Sequence, residues 1–231
     1  MQTKEIKSRK GRLLFQALTK FVVGLVVVGC LLFVPAGTLD YPQAWWLVGL
    51  LFVPMLIAGV VLMLRQPELL RRRLNAKEEQ KEQKLVVALS GLIFVVMFVV
   101  AGFGRRFGWY MLPEWTIYPA AVLFIAGYTL YAEVMRENVW LSRTIEVQQD
   151  QQVVSTGLYG IVRHPMYAAT LLLFLSMPLV LGSPWAFLVM LLYVPIIAFR
   201  IRNEEQVLER DLKGYKEYKQ KVQYKVIPYI W

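Results

Sequence analysis

Apolar positions in this chain come in blocks, and four blocks are continuous enough to cross a bilayer. They run over Leu13–Val34, Ala44–Leu64, Leu85–Phe103 and Ile117–Met135, each near the ~20 residues that span hydrocarbon as a helix. Gly and Pro interrupt them, which membrane helices tolerate better than soluble ones. A fifth run, Ala168–Phe199, has 32 residues. As a helix it would measure roughly 48 Å, too long for one ~30 Å crossing. Near its middle stands "LGSPW", Leu181–Trp185, a turn signal with Pro184 placed to open a new helix. The pattern predicts two short helices folded into a hairpin, with one long helix kinked at Pro178 and Pro184 as the alternative. Beyond the run, Leu208, Leu212, Tyr215, Tyr218 and Val222 recur every three or four positions against a charged opposite face. That spacing predicts a helix or helix pair, bent near Gly214.

Charge fixes the expected orientation. Lys4, Lys7, Arg9, Lys10 and Arg12 precede the first span, and "RQPELLRRRLNAKEEQKEQK" after the second carries seven more basic residues. Arg136, Arg143 and Arg163 follow the fourth span, and the segment from Arg200 onward is rich in both types. The other side offers Arg105 and Arg106. Basic loops stay in the cytoplasm, so both termini and the second and fourth loops are expected there. "ELLRRRLNAKEEQKEQK" reads either as an amphipathic helix on an anionic membrane surface or as a solvated connector. The expected fold class is all-α: a polytopic transmembrane helix bundle of four clear spans, a C-terminal helical hairpin and a cytoplasmic amphipathic C-terminal helix. Residues 1–135 would form the transmembrane bundle and 136–231 a C-terminal, cofactor-binding region.

Composition supports a membrane protein, with 57% hydrophobic and 18% charged residues among 231. The basic N-terminus leads into a long apolar block ending in "FVPAGTLDYP" with no small-residue cleavage site, so it reads as a retained first span rather than a signal peptide. The net charge of +10 flanks apolar blocks instead of forming a face interleaved with stacking aromatics, which argues against nucleic acid. One cysteine, Cys30, and one histidine, His164, provide neither a disulfide framework nor a protein-built metal site.

Two polar constellations border the hairpin. The first is Tyr159, Arg163, His164, Pro165 and Tyr167. Pro165 can open a helix, whose first amides would favour a carboxylate beside Arg163 and His164; ordinary snorkelling at a membrane boundary is the competing reading. The second is "FRIRNEEQVLER", where Arg200 and Glu204 share a helix face; a surface ion pair is the competing reading there. A hairpin would bring both to one membrane face. The site would then hold amides and a cation for an acid group, Glu204 for an ammonium or ribose hydroxyl, and aromatics for a flat ring. Those are the needs of S-adenosylmethionine.

The motifs "VVSTGLYGIVRHPMY", "RIRNEEQVLERDL" and "GYKEYKQKVQYKVIPYIW" resemble the membrane-embedded isoprenylcysteine carboxyl methyltransferases and the related phospholipid methyltransferases. The resemblance covers roughly Glu146 to the C-terminus, and "PELLRRRL" also looks like bacterial relatives, which suggests an inner-membrane protein. It implies S-adenosyl-L-methionine entering from the cytoplasm and a lipidic acceptor entering sideways from the bilayer. His164, Pro165, Met166 and Tyr167 would line the cofactor pocket, joined by Tyr159, by the strand-like piece Gln151, Gln152, Val153 and Val154, and by Gln148. Glu204, with Glu205 next to it, would hold the cofactor. Arg200 would orient the acceptor, and Arg163 is the other candidate catalytic residue. The loop "IEVQQDQQVV" lacks the histidine that some eukaryotic relatives carry.

An acceptor carboxylate, with a reference pKa near ~4, needs no base, whereas an amine such as that of phosphatidylethanolamine must first lose a proton. The absence of a spare base tilts the reading toward a lipid-linked acid. Sterol reductases resemble this family in their C-terminal halves, so an NADPH-dependent reductase is the rival enzyme. Its 2′-phosphate would call for extra cations, but "RNEEQ" is acidic there. A transporter or scaffold is the non-enzymatic rival; it should place ionisable residues midway along its spans, where Lys20 and Glu133 lie near the ends.

Overall fold

The computed structural model describes residues 2–74, 81–141 and 147–231. Residues 75–80, about a third of the segment read as a surface helix or connector, and Arg143 lie outside the described residues. Nine helices are described: α1 Gln2–Ala36, α2 Pro42–Arg65, α3 Pro67–Leu74, α4 Lys81–Arg106, α5 Ile117–Glu137, α6 Pro165–Val180, α7 Pro184–Leu191, α8 Tyr193–Asp211 and α9 Tyr215–Lys221. No strand occurs among the described residues. Five stretches are long and apolar enough to cross a membrane: Gly11–Ala36, Pro42–Arg65, Gln83–Arg106, Glu114–Glu137 and Pro184–Asp211. Long rows of exposed Val, Leu, Ile and Phe on these helices would be untenable in water and suit lipid. The chain is an integral membrane protein.

The fifth apolar run folds back as a hairpin. Gly182 takes a left-handed φ of 68°, Ser183 caps α7 by accepting a bond from the Ala186 amide at 3.2 Å, and Pro184 opens the helix. Each device suits its position. The tip is tied down from outside, since the Tyr41 hydroxyl donates to the Leu181 carbonyl at 2.9 Å and the Leu112 amide to that of Gly182 at 2.8 Å. The second leg is longer than expected. After one turn residue at Leu192, α7 passes into α8, which runs on into the polar region as far as Asp211.

Backbones approach closely where glycine permits. A Cβ on Gly127 of α5 would lie 2.7 Å from Leu173 Cγ of α6, and one on Gly102 of α4 would lie 2.7 Å from the Leu32 carbonyl of α1. Small residues at such crossings are how membrane helices gain packing contact without a hydrophobic drive between them. One apolar core then runs from Leu32 and Tyr41 through Met97 and Phe124 to Leu181, Tyr193 and Ile201. A second, smaller cluster joins Leu212, Tyr215, Tyr218 and Val222 to Val147, Val153 and Leu208. This is the predicted amphipathic stripe, bent at Gly214 with φ 87°, and it docks on the loop that follows α5.

Candidate active site

The hairpin returns its ends to one face, and the two constellations meet there. A cavity of about 860 Å³, counted to its open mouth, lies between the start of α6, α8, α9 and the loop after α5.

Tyr167 links the two helices. Its hydroxyl donates to Glu204 Oε2 at 2.5 Å and accepts from Arg200 Nε at 3.0 Å. Arg200 and Glu204 are one turn apart on α8, so both reach the same hydroxyl. Pro165 opens the helix that carries Tyr167 but is not in the lining. Gln151, Gln152, Val153, Val154, Tyr159, Arg163, His164 and Met166 complete the sequence-derived lining. The piece 151–154 is extended without pairing as a strand.

Three expected site residues stand behind the wall. Gln148 braces the loop: its Nε2 donates to the Trp140 carbonyl at 2.7 Å, and its amide donates to Gln151 Oε1 at 2.8 Å. Pro165 sits buried at the first position of α6. Glu205 is turned away from the cavity and buried at 4% exposure. One helix step, about 100°, separates it from Glu204 and sends it to the other side of α8.

Glu205 gathers basic side chains instead. Arg163 Nε lies 2.8 Å from its Oε1, His164 Nε2 3.3 Å from the same oxygen, and Lys225 Nζ 3.1 Å from Oε2. Arg163 Nη1 donates to the carbonyls of Val222 and Gln223 at 2.6 and 2.8 Å. The amides of Arg163 and His164 donate to Tyr224 and Lys225. Arg163 therefore lines the cavity while its guanidinium is held by Glu205 and the C-terminal segment. The helix opening at Pro165 has no side-chain cap, and the amides of Tyr167 and Ala168 both donate to the His164 carbonyl.

Several lining residues carried no sequence signal for a site. Asn138 Nδ2 donates to the Tyr159 hydroxyl at 2.9 Å, which places the end of α5 in the wall. Tyr215, Tyr218, Leu208 and Leu212 line the cavity, although their spacing announced only an apolar face. Tyr218 donates to the Tyr159 carbonyl at 2.7 Å. The Tyr215 hydroxyl is buried with no partner, an unsatisfied group of the kind a bound polar ligand would complete. Desolvation pushes the Tyr159 hydroxyl up to about 12, with the Asn138 bond opposing it, and burial likewise raises Tyr215 and Tyr218. These tyrosines are neutral donors at physiological pH. Among the described residues no group of His, Cys, Asp and Glu could hold a metal ion.

Residues 115–214 match the family model of the phospholipid methyltransferases. That segment, a little under half of the chain, is similar to this family of membrane proteins. Its fold is similar to that of the eukaryotic intramembrane Ras methyltransferase, isoprenylcysteine carboxyl methyltransferase. The TM-score is 0.56 at 18% identity, over 99% of this chain and 86% of that one. Two sterol reductases also match. A Delta(14)-sterol reductase of Mus musculus is 31% identical over 91 residues, 38% of this chain and 22% of the reductase. One of Methylotuvimicrobium alcaliphilum is 24% identical over 135 residues, 52% of this chain and 32% of the reductase. The chain thus spans a third or less of the length of these curated relatives.

Proposed function

We propose that this chain is an integral membrane methyltransferase that uses S-adenosyl-L-methionine to methylate a lipidic acceptor, the carboxylate of an isoprenylcysteine-like or other lipid-linked acid. The observation that carries the reading is the Arg200–Tyr167–Glu204 chain of hydrogen bonds. It sets a cation and an anion side by side in a cavity at the boundary between lipid-facing helices and charged segments. The family segment, which spans α5 to Gly214, supports the same chemistry.

When bound, S-adenosylmethionine supplies an electrophilic methyl on a cationic sulfur. The cavity's donor set fits it. Glu204 offers a carboxylate to an ammonium or ribose hydroxyl, and the neutral hydroxyl of Tyr215 offers a donor. Tyr159, Met166 and the backbone around Val153 and Val154 offer surfaces for a flat ring. His164, held by Glu205, forms the wall between them. Arg200 orients the acceptor through charge-assisted donors. Holding reactants in line is the main task, since proximity and orientation alone supply about 7–11 kcal/mol. Residues 136–231 are the cofactor-binding region, and the site faces the cytoplasm by the distribution of Lys and Arg.

The acid acceptor is preferred over the amine of phosphatidylethanolamine because an amine must shed a proton. The one imidazole is directed at Glu205, 3.3 Å away, and is poorly placed to take it. The similarity to sterol reductases keeps an NADPH-dependent reductase as the second reading. Against it, Arg163 is held by Glu205 and the carbonyls of Val222 and Gln223, and Glu204 sets a carboxylate beside Arg200, the other arginine of the lining. A 2′-phosphate calls for cations to spare. Equilibrium binding of radiolabelled S-adenosylmethionine and of NADPH to the detergent-purified chain separates the two. The methyltransferase reading expects saturable binding of the first, displaced by S-adenosylhomocysteine. Saturable NADPH binding without it would reverse the assignment.

A further inference from the structure

Gln83 stands in the first turn of α4 with its side chain wholly buried. Its Oε1 accepts a hydrogen bond from Arg200 Nη1 at 3.1 Å. A guanidinium has donors only, so this contact fixes which end of the carboxamide is oxygen. Gln83 Nε2 must then point away from Arg200, and it is enclosed without a partner. A buried amide group left unsatisfied is costly, and its retention calls for an occupant.

Arg200 touches two environments. It lines the cavity beside Tyr167 and Glu204, whereas Gln83 does not line that cavity. The guanidinium therefore stands between the donor pocket and the first turn of α4. Leu85, two residues along α4, is 59% exposed, so this end of α4 borders the lipid-facing surface. A polar headgroup brought from the bilayer to this turn would meet Gln83 Nε2 and the Arg200 guanidinium, both hydrogen-bond donors. An ammonium would bring further donors and positive charge; a carboxylate brings two acceptor oxygens and negative charge.

We propose that Gln83 is a specificity-determining residue of the acceptor site: Nε2 and the Arg200 guanidinium together bind the carboxylate of the lipid acceptor and discriminate it from its neutral ester. The inference rests on the methyltransferase reading and refines its substrate class. One carboxylate oxygen bonds to the methyl carbon as the carbon–sulfur bond breaks with its electron pair left on sulfur. No proton moves. The product ester has lost the charge that held the acid, which favours its release into the bilayer.

The test uses two probes, an S-isoprenyl N-acylcysteine and its methyl ester, with direct binding to the full chain in detergent and no turnover required. Wild type should bind the acid about tenfold or more tighter than the ester, the scale of one hydrogen bond to a charged group. Gln83→Met keeps the shape and removes the donor; it should abolish that preference and leave ester affinity and S-adenosylmethionine affinity within about twofold of wild type. Gln83→Glu should pair with Arg200 and reject the acid more strongly still. A wild type that binds acid and ester alike, or an unchanged preference in Gln83→Met, overturns the inference. Loss of S-adenosylmethionine binding in folded wild type would overturn the methyltransferase reading instead, and the acid-to-ester ratio reads separately from it.

Discussion

Adjacent glutamates on α8 have opposite fates, and the difference is one step of helix rotation. Glu204 shares a hydroxyl with Arg200 at the cavity, while Glu205 is buried among Arg163, His164 and Lys225. Removing a carboxylate from such a cluster leaves buried cations uncompensated, at about 3–5 kcal/mol. Glu205→Ala should therefore lower the thermal unfolding midpoint in detergent and release the C-terminal segment to proteolysis, whereas Glu204→Ala should leave both near wild type. Equal stability of the two variants would contradict the structural role of Glu205. Alkaline pH tests the buried tyrosines. With folded values raised above the reference of about 10, the stability they contribute is complete below pH ~10 and is lost as pH climbs through the folded values, because the unfolded chain ionises first. Between pH 8 and 10.5 the unfolding midpoint of Tyr215→Phe should fall less than that of wild type; parallel falls would exclude Tyr215 as a contributor. The i,i+4 spacing made the pairing of Arg200 with Glu204 legible from sequence. The partners of Glu205 were not, because Lys225 lies beyond the periodic stripe that ends at Val222 and Arg163 stands over forty residues away. Gln83 was illegible too, since a glutamine within a charged loop reads as solvated until its neighbours are known.

At the scale of elements, chain punctuation announced the hairpin. A 32-residue apolar run, a Gly-Ser-Pro turn and the ~30 Å limit of hydrocarbon leave little else. What the pattern could not give was the length of the second leg, because charge begins at Arg200 while α8 continues unbroken to Asp211. Polar residues end a membrane span without ending a helix. The α5–α6 crossing was also invisible, since Gly127 lies within a continuous apolar stretch until Leu173 is seen against it. Gly127→Leu should drive the two helices apart and destabilise the protein by about 1–3 kcal/mol, the usual cost of overpacking. Gly91→Leu on α4, where added atoms meet open space, should not. Matching midpoints for the two would show that the α5–α6 contact is looser than described.

The whole molecule joins an apolar bundle to a polar cap at one end, and the site lies on the join. That placement allows a division of labour between residues that hold the donor and Arg200, which reaches from the cavity to Gln83. His164→Ala and Glu204→Ala should weaken S-adenosylmethionine binding about tenfold or more, as expected for lost charge-assisted contacts. Arg200→Ala should spare cofactor affinity and cut turnover of an acid acceptor; equal binding loss in all three would erase the division. The central claim is that the cavity between the start of α6 and the exit of α8 holds the methyl donor. Ultraviolet crosslinking of radiolabelled S-adenosylmethionine to the intact chain, followed by peptide mapping, tests it most directly. The account predicts label on peptides covering 151–167 or 200–218, suppressed by S-adenosylhomocysteine and reduced in Glu204→Ala. Label confined to α1, α2 or α3, or label indifferent to that competitor, would contradict it.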